Sequence, residues 1–522
     1  MTRMDAAYEE RGGPAVVRDA LALARSAREP GPDFPAGPAV TAWPGEAVPV
    51  PAELDALLRK SLAGGRLRPA ASAGALHPVN THLLAGPGSP LPTGRYAYDP
   101  VAHRLHPRGR VPDDAPPGLL AVLTVTARRT VSHYGHRAWP LLLLDTGHTL
   151  AALALAGAEA ICVDADGIRL AAAAGLTPER GEPEHAVAAV WCGPGTRPAP
   201  DALTRWASYG PGTAPLGGDR SAPAVLRAAR AVLEEVTSGA REGSWTPCSV
   251  PRADLLGARR PVPGRGLGSG AGRAAGPVPE RRRGEADVVV RRSAAPGFTG
   301  PPDPAVLARL LTAAERTAAQ LAGADAVRWC VATGGPDAAV LGGSGAPEPR
   351  PIALGDARAT LARWAAGQTW LAGAGAVLLA HGCPDDAPPA EVRRAHLSAG
   401  YAVAIAQVLA GRAGLESRPV GSWQGADLGA ALGEPPGRYP VVHGLALGTH
   451  PAPAPAVLAR ATVAVPGPAS APAPGRASAR EPASAPDGAP APVRAPTPGT
   501  AAAPSPPPCP ATPIPAEGDP RS

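Results

Sequence analysis

The chain has 522 residues, a length that indicates two or three domains at a typical ~150 residues each. Its hydrophobic share of 44% can bury a sizeable core, but aromatic residues make up only 3%, so small and closely packed side chains are expected inside. The net charge of +6 arises from 50 basic and 44 acidic residues spread along the chain. They form no basic stripe interleaved with aromatics, which argues against nucleic-acid binding.

Cysteine spacing and the apolar segments restrict the class of protein further. The six cysteines never approach CxxC spacing, so neither a zinc site nor a disulfide framework is expected, and a reducing compartment fits them best. No charge-free apolar run reaches the ~20 residues of a membrane span. The stretch 141–163 comes closest but carries Asp145, His148 and Glu159. These features predict a soluble cytoplasmic protein with no metal, membrane or nucleic-acid partner.

Helix and strand patterns alternate through the N-terminal part of the chain, residues 1–197. Apolar residues at helical or strand spacing predict the following elements: helices over 14–27, from 51 onward and over 139–160, and strands at 81–84, 119–125 and 186–191. Residues 198–285 then become rich in Pro, Gly and Arg, and they are expected to form a linker with one helix at 223–237.

The same order of elements recurs in residues 286–450. The patterns predict strands at 288–293, 328–333, 374–381 and 439–447, with helices at 304–321, 356–366 and 391–413. We therefore expect an α+β fold of two tandem halves that form an intramolecular pseudodimer. Each half would be a mixed sheet covered by helices, with the Ala- and Gly-rich helices 139–160 and 391–413 packed against each other. The Pro/Ala-rich tail, 451–522, cannot bury enough apolar surface and is expected to be disordered.

Several ordered segments carry a resemblance to a known family. In the first half these are Ser72-Ala73-Gly74-Ala75-Leu76-His77-Pro78, a hairpin from Gly94 to Leu105, and Tyr134-Gly135-His136-Arg137-Ala138-Trp139. In the second half they are Arg291-Arg292-Ser293 with Phe298, then Gly367-Gln368-Thr369-Trp370, then Arg418-Pro419-Val420-Gly421-Ser422-Trp423. Their order resembles that of the nitroreductase superfamily, in particular the azoline dehydrogenases of streptolysin S, microcin B17 and thiopeptide-type biosynthesis.

The resemblance implies flavin mononucleotide (FMN) bound between two subunits, or here between the two halves. The first half has the Ser-Ala-Gly loop but only a doubtful arginine segment, and the second half has the reverse. One composite site is therefore expected, with these cofactor-binding residues: Ser72, Ala73, Gly74, Arg291, Arg292, Ser293, Gln368, Pro419 and Gly421. Adjacent arginines suit a phosphomonoester, and a Gly-containing loop allows close backbone approach. Taken singly, the same motifs also describe a solvated charge pair and an ordinary turn.

The catalytic pair implied by the resemblance aligns with His133 and Tyr134. The family uses Lys-Tyr just before its central helix, and this chain departs from that pattern because its one lysine, Lys60, lies elsewhere. Histidine can serve as a base at neutral pH, and Tyr134 would relay or orient the proton. As an isolated pattern, His133 also describes a surface residue.

The function implied by the resemblance is FMN-dependent oxidation of azoline rings, thiazoline to thiazole, in a modified precursor peptide. Dioxygen would reoxidise the flavin, and a cyclodehydratase complex would be a further partner. Two other functions remain open at this point: a general NAD(P)H-dependent quinone or nitro reductase, and a catalytically eroded scaffold that binds peptide. The sequence leaves open a monomeric pseudodimer or a homodimer.

Overall fold

A computed structural model of the chain describes residues 13–112, 114–176, 182–193, 197–216, 221–239, 242–248, 293–323, 326–343 and 349–450. Three predictions lie outside these residues: the strand at 288–292 with Arg291 and Arg292, most of the Gly-rich linker, and the tail 451–522. All the elements below belong to one compact unit.

The first half is built on an eight-stranded sheet with the strand order β1-β4-β3-β2-β5-β7-β6-β8. The strands are β1 Val48–Pro49, β2 Val79–Ala85, β3 Gly94–Asp99, β4 Arg104–Arg110, β5 Leu119–Val125, β6 Ala160–Cys162, β7 His185–Trp191 and β8 Thr246–Pro247. The helices are α1 Pro14–Arg25, α2 Ala52–Ser61, α3 Ala127–Tyr134, α4 Ala138–Ala156, α5 Gly167–Ala173, α6 Ala202–Ser208 and α7 Ala224–Thr237.

The second half is built on a six-stranded sheet with the strand order β11-β10-β9-β12-β14-β13. The strands are β9 Arg328–Thr333, β10 Ala339–Gly342, β11 Arg350–Leu354, β12 Ala376–His381, β13 Glu416–Val420 and β14 Val441–Gly448. The helices are α8 Pro304–Ala322, α9 Arg358–Trp364, α10 Pro389–Arg412 and α11 Gly429–Leu432.

The two sheets share one topology, which confirms the predicted tandem halves. The central order β4-β3-β2-β5-β7-β6 becomes β11-β10-β9-β12-β14-β13 when each strand is advanced by seven. The long helix of each half, α4 or α10, lies in the same place in the chain order, after the fourth strand of this series. Strand β13 is therefore the counterpart of β6, and the segment before β9 is the counterpart of the loop before β2.

Two features differ from the prediction. The strand pairings are antiparallel in both sheets among the described residues, so the prediction of mixed sheets was wrong. The described part of the predicted linker, residues 198–248 apart from short gaps, also packs onto the first half. Helices α6 and α7 bury Trp206, Leu226 and Leu233, and β8 extends the sheet by pairing with β6. The helix predicted at 223–237 is α7, whereas α6 and β8 were not predicted among the surrounding Pro and Gly residues.

Helices α4 and α10 cross at the centre of the molecule, as predicted. At the crossing each helix places a glycine against the backbone of the other. A Cβ on Gly147 would lie 2.8 Å from the Tyr401 nitrogen, and a Cβ on Gly400 would overlap the carbonyl of Leu144. By length and composition, 127–156 could also span a membrane, but 89% of its apolar window is buried inside the protein. It is the core helix of the first half.

Candidate functional site

A buried aspartate of α4 holds the Ser-Ala-Gly loop. Ser72 Oγ donates to Asp145 Oδ2 at 2.6 Å, and the Ala73 N–H donates to Asp145 Oδ1 at 3.0 Å. Ser72 Oγ in turn accepts from the His77 N–H at 3.0 Å. Burial raises the pKa of Asp145 to about 7, while the two hydrogen bonds act in the opposite direction. The Ser72 hydroxyl and the Ala73 N–H therefore both donate to Asp145. The sequence did not predict this partner.

The turn that follows has a strained backbone. Gly74 has φ 60°, and two residues with side chains, Ala75 at φ 54° and His77 at φ 45°, also occupy the left-handed region. Such conformations persist only where the surroundings impose them, and they cluster at functional sites. A Cβ on Gly74 would lie 3.2 Å from the hydroxyl of Tyr134, so the loop closes directly on the predicted catalytic tyrosine.

Tyr134 and His133 occupy different environments at the end of α3. Tyr134 is half-buried, and burial raises its pKa; the charge of Asp145 raises it further and that of Arg418 lowers it. The phenol therefore keeps its proton at neutral pH and can donate a hydrogen bond. The His133 side chain is 57% exposed and its Nδ1 lies 3.1 Å from Asp33 Oδ2, another exposed group. The structure thus turns Tyr134 towards the loop and His133 towards the surface.

In the second half, Arg418 of strand β13 lies beside several of the residues predicted to bind flavin. Arg418 Nη1 donates to the carbonyl of Ala294 at 3.3 Å, next to the exposed Ser293. Its guanidinium also lies 5.4 Å from the ring centroid of Trp370. The indole of Trp370 donates to Gln368 Oε1 at 3.2 Å, which places Gln368 in the same group.

Arg418 has unused hydrogen-bonding capacity. No carboxylate of the described residues forms an ion pair with it, although a guanidinium carries five N–H donors. A half-buried cation with free donors is suited to an anionic ligand. Sequence reasoning quoted Arg418 in a motif but assigned binding to its neighbours Pro419 and Gly421, because a sequence does not show which strand residue faces the site.

Several interactions connect the two halves around these groups. Burial raises the pKa of Tyr134, and the positive charge of Arg418 acts to lower it. A Cβ on Gly421 would lie 2.9 Å from Leu141 Cδ2 on α4, so the absence of a side chain there serves the packing of one half on the other. The Gly425 N–H donates to the carbonyl of Arg25 at 2.7 Å. Tyr134 of the first half therefore interacts electrostatically with Arg418 of the second half.

The pseudo-symmetric position lacks these groups. The counterpart of β13 is β6, with the sequence Ala160-Ile161-Cys162, which has no cation. The segment before β9 reads Gly323-Ala324-Asp325-Ala326-Val327, which has no Ser-Ala-Gly sequence. The sequence predicted that each half would lack one of the two motifs. The missing motifs belong to topologically equivalent positions of the two sheets.

Two cavities lie in the first half, one of them beside the loop. One of about 40 Å³ lies beneath it, lined by Ser72, His77, Asp145 and Arg68, and this volume holds only a few water molecules. Arg68 Nε is buried there without a hydrogen-bond partner. A larger cavity of about 550 Å³ lies between α1 and α7, with Trp139 on its wall.

A second buried polar cluster, beside the smaller cavity, supports the sheet. His82 Nε2 contacts Glu184 Oε2 at 2.7 Å, and Arg108 Nη1 lies 3.1 Å from His82 Nδ1. Thr124 Oγ1 donates to the same carboxylate oxygen at 2.5 Å. Both ring nitrogens of His82 are engaged, so the cluster has no free base, and we interpret it as structural. No group of three metal-ligating side chains occurs among the described residues.

Comparison with known proteins agrees with the fold. A structure from Anabaena variabilis assigned as a nitroreductase matches with a TM-score of 0.57 at 17% identity, over 84% of this chain and 100% of that one. The E. coli microcin synthetase McbBCD complex with truncated pro-MccB17 gives a TM-score of 0.25 at 16% identity, over 33% and 71% of the two chains. The second value is too low to carry an argument. No family model matches the chain, and no curated protein does.

Proposed function

The chain has a nitroreductase fold in two tandem halves, and we propose that it is an FMN-dependent oxidoreductase with one flavin between the halves. The observation that supports this most directly is the position of Tyr134, whose hydroxyl faces Gly74 of the same half and whose pKa, raised by burial, is lowered in part by the charge of Arg418 in the other half. The absence of both groups at the pseudo-symmetric position supports one flavin rather than two.

The residues present fit such a cofactor in part. Arg418 offers unpaired donors for an anionic group, with Ser293 beside it, and Arg291 and Arg292 precede that serine in the chain. The turn at Gly74 brings the backbone close to the Tyr134 hydroxyl, which would lie only 3.2 Å from a Cβ at this position. Ser72 Oγ and the Ala73 N–H fit less well, because Asp145 already accepts from them. Their part in the site is therefore to shape the loop.

The proposed substrate is an azoline ring of a modified precursor peptide, on the basis of the sequence resemblance. Bound FMN would supply the hydride acceptor for dehydrogenation of the ring. Tyr134 keeps its proton and would orient the ring by donating a hydrogen bond, while a base takes up the ring proton. His133 remains the predicted base, and the protein would act beside a cyclodehydratase.

Flavin binding provides the first test. We expect the purified protein to bind FMN, and a thiazoline peptide to bleach the flavin absorbance under anaerobic conditions without a nicotinamide donor. Bleaching only by NADH or NADPH would indicate a general reductase instead. The absence of any FMN binding by the wild-type protein would leave the eroded peptide-binding scaffold, which the engagement of Ser72 and Ala73 by Asp145 favours as the second candidate.

Arg418→Ala tests whether the second half holds the cofactor. Removing a charge-assisted hydrogen bond of about 1.5–3 kcal/mol should weaken FMN binding by roughly 10- to 100-fold. Flavin fluorescence titration measures the Kd, and Arg18→Ala, an exposed arginine of α1 beside Asp19, is the control. Equal affinities of Arg418→Ala and Arg18→Ala would exclude Arg418 from the site.

Tyr134→Phe and His133→Ala separate the two members of the catalytic pair. We expect Tyr134→Phe to lower kcat by about 10- to 100-fold at full FMN occupancy, because the variant keeps the ring but loses the donor. If His133 is the base, His133→Ala lowers kcat at least as much. Wild-type turnover of His133→Ala would assign this histidine to its surface ion pair with Asp33 instead.

A further inference from the structure

The candidate flavin site depends on a loop whose position is set from the core. Residues 72–77 contain three left-handed residues, two of which carry a Cβ, so the turn does not hold itself by backbone preference. The start of the turn is instead bonded to a side chain of α4, and at its end Arg129 Nη1 donates to the carbonyl of His77 at 3.2 Å. The α4 side chain is Asp145, which is only 4% exposed.

The hydrogen bonds to Asp145 continue to the end of the turn. One oxygen of Asp145 accepts from Ser72 Oγ and the other accepts from the Ala73 N–H. Ser72 Oγ accepts from the His77 N–H, so the first and last residues of the turn are joined through the Ser72 hydroxyl, which itself bonds to Asp145. Two further backbone bonds, Ala75 N–H to the Ser72 carbonyl and Leu76 N–H to the Ala73 carbonyl, complete the turn.

The helix that carries Asp145 also carries the crossing of the two halves. Gly147, two residues after Asp145, packs against the backbone of α10. Gly400 of α10 packs in the same way against the backbone of Leu144. A loop anchored here therefore keeps a fixed position relative to the second half. At Gly74 the loop packs against the hydroxyl of Tyr134.

We propose that Asp145 is a positioning residue that holds the 72–77 turn closed on Tyr134 and so fixes the first-half wall of the flavin site. The role of Asp145 in flavin binding rests on the function proposed above, whereas its role in anchoring the turn does not. Ser72 and Ala73 direct their donors inward because they connect the turn to α4.

Hydrogen exchange of the full-length protein without FMN tests the anchoring. In Asp145→Ala the amides of Ala73 and His77 should exchange about tenfold faster or more, because their bonding network is lost and the turn opens locally. Asp145→Asn keeps an acceptor oxygen and should restore most of the protection. Thr149→Val is the control: this residue lies one turn further along α4, lines the same cavity and bonds only to the Asp145 carbonyl.

A titration with FMN completes the test. Asp145→Ala should weaken FMN binding about tenfold, with Asp145→Asn and Thr149→Val near the wild-type value. Unchanged amide exchange in a folded Asp145→Ala or Ser72→Ala protein would overturn the proposal. Faster exchange with unchanged FMN affinity would overturn its role in the site. Failure of the wild-type protein to bind FMN would refute the proposed function, while the exchange data would still decide whether Asp145 anchors the turn.

Discussion

Gly147→Ala is expected to destabilise the protein by about 3 kcal/mol or more, the upper part of the range for overpacked cores. The new Cβ would overlap the carbonyl oxygen of Leu397 and lie 2.9 Å from the Cα of Gly400. These are backbone atoms of a buried helix, which cannot rotate away as a side chain does, so α4 and α10 must separate. Gly400→Ala should act similarly, because its Cβ meets the backbone of Leu144.

Gly411→Ala supplies a matched control within α10. A Cβ there meets nothing within 4 Å, and the residue is helical, so alanine should raise stability by about 0.5–1 kcal/mol. Urea unfolding followed by circular dichroism measures all three variants. A Gly147→Ala protein within about 0.5 kcal/mol of the wild type would show that the two helices are less tightly packed than this structure has them.

The crossing links stability to function because the proposed site spans both halves. Separation of α4 from α10 would move Tyr134 away from Arg418. Gly147→Ala protein that remains folded should therefore lose FMN affinity, although no residue near the proposed cofactor has changed. Gly411→Ala should keep it.

The sequence predicted the helices and strands better than it predicted the site. Long apolar segments such as 119–125 and 391–413 lie within two residues of the observed elements, because periodicity and burial agree there. The Pro- and Gly-rich segment after 198 was predicted to be a linker with one helix, and the seven-residue helix α6 was missed because it is too short for its periodicity to stand out. Antiparallel pairing was missed because strand direction depends on chain crossings that no local pattern records.

The order of the motifs along the sequence predicted which segments form the site. It did not predict the role of each residue in them. The partner of Ser72 lies 73 positions away, and an acidic residue within the apolar run of α4 was the one signal that Asp145 is special. Arg418 was visible in its motif, yet the choice between it and Pro419 depends on which way each strand residue points. His133 and Tyr134 are adjacent in sequence but differ in exposure, because successive residues of helix α3 point in different directions.

Asp145→Asn is expected to change the pH dependence of stability by several kcal/mol, because it removes a buried titratable group. Burial raises the pKa of Asp145 from 3.8 to about 7. The folded protein therefore retains a proton that the unfolded chain releases near pH 4. This contribution to stability is fully present below that pH, and it is lost as pH rises to about 7. At 1.36 kcal/mol per pH unit, the loss is on the order of 4 kcal/mol.

Asparagine stays neutral throughout, so the variant should not show this loss. The difference in unfolding free energy between Asp145→Asn and the wild type should thus shift in favour of the variant by several kcal/mol between pH 4 and pH 8. Asp386→Asn, at an exposed carboxylate paired with Arg438, is the control and should change the profile by less than about 1 kcal/mol. Parallel profiles for Asp145→Asn and the wild type would mean that Asp145 is already ionised at pH 4. In that case the hydrogen bonds from Ser72 and Ala73 would outweigh its burial, and the anchor of the loop would be a carboxylate at all pH values where the protein is folded.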